Sequence, residues 1–408
     1  MALDKHAVRD IAKVFGTPVY VYDQSVLEAK AKEALAFPNA FGLSVRYAMK
    51  ANPHHNILQI FHQLGIQIDA SSEYEVQRAI LAGIPNENIM LTSQQPAKNI
   101  YSGIRYNACS LHQLASVAPK YGYVSVRINP GLGSGGTNRT NTGGPASSFG
   151  IWHEDIPEVL RIAREKGIKI SGIHSHIGSG SDPVVWQKVA SMSLGIVEQF
   201  LPEHDITTLN LGGGYKVARV DGDKATDLQE CGEPVKQAFK QFAEKTGKRL
   251  HLEIEPGTFL VANAGYVIAT AVDVKSTPGY NFIITDSGMT EVTRPSLYGA
   301  QHPITIVTLN DSVRKRKSYV VSGHCCESGD ILTPAPGDSE ALAPRDLIET
   351  RIGDLVVIGG AGAYCSGMCT KNYNSYPEAA EVLMSRSGNC MSIRHRQTLD
   401  QMLMNECL

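Results

Sequence analysis

Leu43-Ser44-Val45-Arg46-Tyr47-Ala48-Met49-Lys50-Ala51 is a strand-length, apolar-rich run with a single lysine near its end, and it opens a repeating rhythm. Seven further strand-like runs follow, over 66–72, 89–93, 105–110, 123–130, 168–178, 207–214 and 249–257. Between them lie segments with apolar residues at helical spacing, such as 73–82 and 183–200. Eight strand–helix units within about 215 residues match the size of a (β/α)8 barrel of the TIM type. An open, doubly wound sheet is the structural alternative that the same alternation allows.

Working outward, the pattern changes after residue 265. Runs over 266–275, 281–286, 304–308, 318–322 and 354–358 read as strands joined by Gly, Pro and Asp turns, with one short helix near the C-terminus. This predicts a second, mostly β domain. Gly16-Thr17-Pro18 leads into Val19-Tyr20-Val21-Tyr22, an N-terminal strand that precedes the barrel rhythm and can join that domain. The expected division is a barrel over 25–268, with 1–24 and 269–408 forming a β-sandwich or β-barrel domain. Repeats and charge runs are absent from the sequence. The one biased segment, 131–148, is rich in Gly, Ser, Thr and Asn and follows a barrel strand, where lids and binding loops occur.

Composition narrows the class. The 408 residues are 42% hydrophobic and 19% charged, ordinary for a globular enzyme. With a formal net charge of -2 and no basic block, neither nucleic acid nor a membrane surface is an expected partner. No apolar stretch approaches the ~18 residues a membrane helix needs. The opening MALDKHAVRD lacks the apolar core of a signal peptide, so Asn138-Arg139-Thr140 reads as a chance match to a glycosylation acceptor. The 8 cysteines are scattered, and Cys325 and Cys326 are adjacent, which suits neither a disulfide framework nor a zinc site. A reduced, cytoplasmic protein is the expectation.

In a (β/α)8 barrel, function collects at the C-terminal ends of the strands. Those ends hold Lys50, Asp69, Arg127, His176, Gly212-Gly213-Gly214 and Glu255. A lysine ending a strand is ordinarily a surface charge. Lys50 is embedded in an apolar run, so its ammonium must reach a polar cavity or shift its pKa, as Schiff-base lysines do. The glycine triplet is either a tight turn or a close backbone approach to a phosphate. It is neither a Walker loop nor a dinucleotide fingerprint. Glu255 reads equally as a plain rim carboxylate. His174 and His176 share one strand face, which also admits a metal pair. Together these residues describe a site for an anionic, aromatic cofactor. In the second domain, Cys326 stands among Glu327, Ser328, Gly329 and Asp330, a setting for an exposed site better than for a core.

The chain resembles the fold-type III decarboxylases that use pyridoxal phosphate. The resemblance rests on Tyr47-Ala48-Met49-Lys50-Ala51-Asn52, His176-Ile177-Gly178-Ser179, Gly212-Gly213-Gly214 and Glu255-Pro256-Gly257 in the barrel. It continues in Arg294-Pro295-Ser296-Leu297-Tyr298, Cys326-Glu327-Ser328-Gly329-Asp330 and Gly362-Ala363-Tyr364. The segments keep the family's order over roughly residues 17 to 385.

That resemblance implies roles. Lys50 would form the Schiff base with pyridoxal 5'-phosphate, and Glu255 would keep the pyridine nitrogen protonated. His176 would stack on the ring, Arg127 would lie near its 3-oxygen, and Asp69 would belong to the same cofactor site. Ser179, Gly212, Gly213, Gly214, Gly257 and Tyr364 would surround the phosphate. Cys326 would return the proton to the α-carbon, and Glu327 would take the substrate's distal amino group. Arg294 and Tyr298, with Tyr364, would hold a substrate carboxylate. In the family Cys326 and Glu327 reach the neighbouring subunit's site, which implies a homodimer.

The implied reaction is decarboxylation of meso-2,6-diaminopimelate to L-lysine, a step of lysine biosynthesis. Alternatives are a decarboxylase of D-lysine, D-ornithine or carboxynorspermidine, an amino-acid racemase, or a non-catalytic cofactor-binding regulator. One departure bears on the substrate. The family's Glu-Pro-Gly is usually followed by an arginine that grips a carboxylate; here the residue is Thr258. Either Arg294, Tyr298 or another arginine takes that load, or the substrate lacks the carboxylate.

Overall fold

Along the strand Leu43–Ala48, neighbouring side chains point to opposite faces. Arg46 turns inward and its Nη2 donates to Glu253 Oε1 at 2.9 Å, whereas Tyr47 turns outward and packs edge-on against Phe61 of the helix His55–Gln63. The computed structural model describes residues 3–133, 142–176, 182–310 and 313–407. Seven more strands continue the pattern: Gln67–Ala70, Ile89–Leu91, Arg105–Ala108, Val124–Asn129, Ile170–His174, Thr208–Asn210 and His251–Ile254. Each pairs in parallel with the next. The last returns to the first, with Leu252 opposite Leu43 and Ile254 opposite Val45. The sheet therefore closes into a barrel of eight parallel strands, and the open-sheet alternative falls.

Helices between the strands begin where a short polar side chain can satisfy free amides. Ser72 Oγ accepts from Glu75 N–H at 3.1 Å before Glu73–Leu81, and Ser110 Oγ does so from Gln113 N–H before Leu111–Ser116. Asp227 caps the helix Leu228–Thr246 through the amides of Gln229 and Glu230. The helix Pro183–Phe200 spans the segment whose spacing predicted it.

The barrel interior departs from the usual branched apolar filling. Arg105 Nη1 joins Arg46 on Glu253 Oε1 at 3.1 Å, and both Arg46 and Glu253 are fully buried. Two guanidiniums on one carboxylate keep Glu253 ionised against the cost of burial.

By its internal contacts the chain forms two units, one comprising Leu27–Val217 with Lys224–Leu260 and the other the remaining described residues, including Ala218–Asp223. The second is mostly sheet. Its long strand Gly265–Ser276 pairs with Asn281–Thr285, with Leu355–Ile358 and with the N-terminal strand Val19–Asp23. The predicted N-terminal strand thus enters this sheet, where it also pairs in parallel with Ala380–Met384.

The helix Lys5–Phe15 was not foreseen. Val8 and Ile11 on one of its faces join Val19, Val21, Ile268, Val357 and Val382 in the core of this unit. Among the described residues, no helix is long and apolar enough to cross a membrane.

Candidate functional site

The barrel strands end earlier than their apolar runs do, and the residues just beyond them form the rim. Lys50 lies on a single tight turn, Met49–Ala51, that follows the strand Leu43–Ala48. Its neighbours Met49 and Ala51 are buried, whereas Lys50 is exposed. Its positive charge nonetheless acts on Asp69, Glu75 and His176, so it shares their electrostatic surroundings.

Glu255 is buried and held from two sides. Asn210 Nδ2 donates to its Oε1 at 2.7 Å, and His174 Nε2 stands 3.2 Å from its Oε2. Asn107 Nδ2 donates to His174 Nδ1 at 2.7 Å, which leaves the ring's proton on Nε2, facing the carboxylate. Burial opposes the charge on Glu255, but His174 and the Asn210 bond outweigh it and bring the pKa down to about 2. Asp69 behaves in the opposite way. Its burial, reinforced by the negative Glu255, raises its pKa well above the usual carboxylate range, with Lys50 only partly opposing this. One rim thus carries two coupled carboxyl groups whose pKa values are pushed in opposite directions.

His176 stays neutral, because burial and the charges of Arg127 and Lys50 lower its pKa. Its Nδ1 accepts from Gly213 N–H at 3.1 Å. The glycines of the triplet are required by packing. A Cβ on Gly212 would lie 2.5 Å from the His176 ring, and one on Gly213 would lie 2.2 Å from the Glu255 carbonyl oxygen. Arg127 lies near the end of the strand Val124–Asn129 and is buried, with its guanidinium over the Phe149 ring at 4.9 Å. Gly257 sits against Ala48 and Ala51, just before the short helix Thr258–Val261. Ser179 lies outside the described residues, as do residues 134–141 of the biased loop. The loop's described ends are tied by Asn129, whose Oδ1 accepts from Gly131 and Gly144 N–H.

Lys50, Asp69, Arg127, His176, the triplet, Glu255 and Gly257 therefore belong to one unit and are brought to one end of the barrel. Asn107, Asn210 and the role of His174 escaped the sequence reading. Their signal was present, since each is a polar residue at or near the end of a buried strand. Asp69 Oδ1 and Arg127 Nη2 are buried with no hydrogen-bond partner among the described residues. Buried polar atoms are rarely left so, and here they offer partners to a bound group. An amine, an ionised carboxylate, a neutral aromatic ring and a guanidinium fit the demands of pyridoxal phosphate.

The other unit carries the remaining predicted residues. Asp330 is buried and pins a turn, its oxygens accepting from Met289 N–H at 2.7 Å and Cys325 N–H at 2.9 Å. Cys326 and Glu327 project from this turn and are exposed. Cys326 N–H donates to Asn374 Oδ1 at 2.8 Å, and Gly329 N–H donates to Glu327 Oε1 at 3.1 Å. Arg294 and Tyr298 lie at the two ends of the short helix Arg294–Tyr298. Arg294 Nη1 donates to His302 Nε2 at 2.9 Å. Tyr364 holds a left-handed backbone, φ 56°, unusual for a bulky residue.

Comparison with known proteins agrees with this geometry. Residues 26–262 match the family model of the pyridoxal-dependent decarboxylases, pyridoxal binding domain. Diaminopimelate decarboxylase of Streptomyces coelicolor is 34% identical, over 99% of this chain and 92% of its own. A crystal structure of diaminopimelate decarboxylase superposes with a TM-score of 0.88 at 32% identity, over 98% of this chain and 96% of that one. The Helicobacter pylori diaminopimelate decarboxylase complexed with L-lysine gives 0.84 at 25% identity, covering 98% of each chain. With its barrel matched by the family model and its full length by these relatives, the chain belongs to the pyridoxal-dependent decarboxylases, in the diaminopimelate decarboxylase family.

Proposed function

We propose that this enzyme decarboxylates meso-2,6-diaminopimelate to L-lysine and carbon dioxide. The observation that carries the reading is the near-full-length similarity to diaminopimelate decarboxylases, joined to a barrel rim that presents Lys50, Glu255, His176 and Arg127 together. Pyridoxal phosphate, when bound, supplies an electron sink for the pair released as the bond to the departing carboxylate breaks.

The chain's own residues would orient and protonate. Lys50 would be the covalent anchor, and Glu255, held ionised by its His174 and Asn210 contacts, would keep a proton on the ring nitrogen. His176 would cover the ring face, while Arg127 Nη2 and Asp69 Oδ1, buried without partners among the described residues, would take polar groups of the ring. Ser179, Gly212, Gly213, Gly214, Gly257 and Tyr364 are assigned to the phosphate. Loss of carbon dioxide must be balanced by one proton at the α-carbon, and Cys326 is assigned to deliver it. Glu327 takes the distal amino group, and Arg294, Tyr298 and Tyr364 the remaining substrate polar groups. Exposure of Cys326 and Glu327 on a pinned turn suits their use by a second subunit, and we assign a cytoplasmic homodimer.

The test is product analysis with the purified holoenzyme. L-lysine and carbon dioxide in equal amounts from meso-diaminopimelate are expected; release from D-lysine or D-ornithine alone would replace this substrate. Mixing Lys50→Ala with Cys326→Ala chains should restore part of the activity that each lacks. No recovery in mixed dimers would sink the shared site.

A further inference from the structure

Arg219 follows the glycine triplet in a segment without regular structure and packs within the mostly β unit. Its Nε donates to the Gly360 carbonyl at 3.1 Å, while its Nη2 is sealed from solvent without a partner. A few residues away, Gly359 accepts from His302 Nδ1 at 2.9 Å, and His302 Nε2 accepts from Arg294 Nη1 at 2.9 Å. Two consecutive carbonyls thus fix two guanidiniums, one directly and one through a histidine. The close fit is built into the backbone. Gly360 has φ +64°, and a Cβ there would lie 3.0 Å from Arg219 Cδ.

The two cations feel each other. Burial, then the charge of Arg294, lowers the Arg219 pKa to about 9, and both arginines depress His302 after burial has done so. Both also act on Cys365, next to Tyr364. Among the described residues neither arginine forms an ion pair. Asp223 spends its Oδ2 on the amides of Arg219 and Val220 instead. Two part-buried guanidiniums without a carboxylate are a costly arrangement unless an anion completes them.

We propose that Arg219 joins Arg294, already assigned to the substrate, in holding the substrate's distal carboxylate, and supplies the arginine that this chain lacks at Thr258. Rigidly held guanidiniums suit bidentate recognition of a planar carboxylate. His302 is a positioning residue, since it reaches the substrate only through Arg294. The assignment of this anion to the distal carboxylate rests on the diaminopimelate reading above.

The experiment compares meso-diaminopimelate with D-lysine, which lacks the distal carboxylate, using the holoenzyme and its Arg219→Gln and Arg219→Lys variants. D-lysine is followed as a slow substrate or as a competitive inhibitor. Arg219→Gln is expected to raise KM for meso-diaminopimelate about tenfold to a hundredfold while leaving the D-lysine constant within about twofold. Arg219→Lys should recover part of the loss. Equal weakening of both ligands, or no change in either, would overturn the clamp. Wild-type enzyme inactive on meso-diaminopimelate would remove the substrate reading alone. The pair is then judged by competition with pimelate: inhibition lost in Arg219→Gln supports an anion site, and unchanged inhibition refutes it.

Discussion

Glu255 and Asp69 are both buried carboxyl groups at the barrel rim, yet their pKa values are pushed in opposite directions. Glu255 is ionised because His174 and Asn210 meet both of its oxygens. The Asp69 pKa is raised because burial and Glu255 disfavour a second negative charge. Isosteric amides separate the two roles. Glu255→Gln removes the charge on which cofactor protonation depends, so kcat should fall about a hundredfold or more with the cofactor still bound. Asp69→Asn removes a carboxyl group whose charge its site disfavours and should keep kcat within about tenfold of wild type. Steady-state rates on holoenzymes check this, and an equal loss in both would contradict the assigned charges. Lys50 and Glu255 were legible because strand ends in an alternating α/β pattern mark the rim. Arg219 was not legible, because it lies between a glycine triplet and a helix with no period to reveal its burial.

At the scale of elements, the turn Ser287-Gly288-Met289-Thr290-Glu291 stores a titration. Three donors, Ser287 Oγ, Gly288 N–H and Thr290 Oγ1, converge on Glu291 Oε2. Burial still dominates and raises its pKa from 4.5 to about 7. Below pH 4.5 the carboxyl is neutral in both the folded and the unfolded chain. Between 4.5 and about 7 only the unfolded chain ionises freely, so stability falls as pH rises through this window. Glu291→Gln removes that loss. Its stabilisation relative to wild type should grow from pH 5 to pH 8 by up to about 3 kcal/mol. Denaturant melts at the two pH values measure it, and a pH-independent difference would assign the shift elsewhere.

Elements also differed in how well the sequence announced them. All eight barrel strands were visible as short strand-like runs between helical segments, although they carry buried polar residues such as Arg46, Asn107 and Glu253. The strands Asp338–Leu342 and Cys390–Arg394 were missed because most of their residues keep solvent contact and carry no alternating pattern. Ala380–Met384 was missed because Ala-Glu-Val-Leu-Met reads as helix, and only its pairing with Val19–Asp23 makes it a strand.

For the molecule as a whole, polar groups run through the barrel from the buried Arg46–Glu253 pair, joined by the half-buried Arg105, to the Asn107–His174–Glu255 chain at the rim. An ionic interior is weak evidence for stability, since burial of charge costs about as much as pairing returns. What these contacts do show is that the rim side chains His174 and Glu255 are fixed by Asn107 and Asn210. The chain matches diaminopimelate decarboxylases over nearly all its length, and the proposal for Arg219 concerns how it would read the substrate with Thr258 after Glu-Pro-Gly. Everything proposed for the reaction depends on Lys50 being the residue that carries pyridoxal phosphate. Borohydride reduction of the holoenzyme, followed by digestion and mass spectrometry of the peptides, tests this directly. A pyridoxyl group on Lys50 and on no other lysine is the expected result; a group on a different lysine, or none, would contradict it.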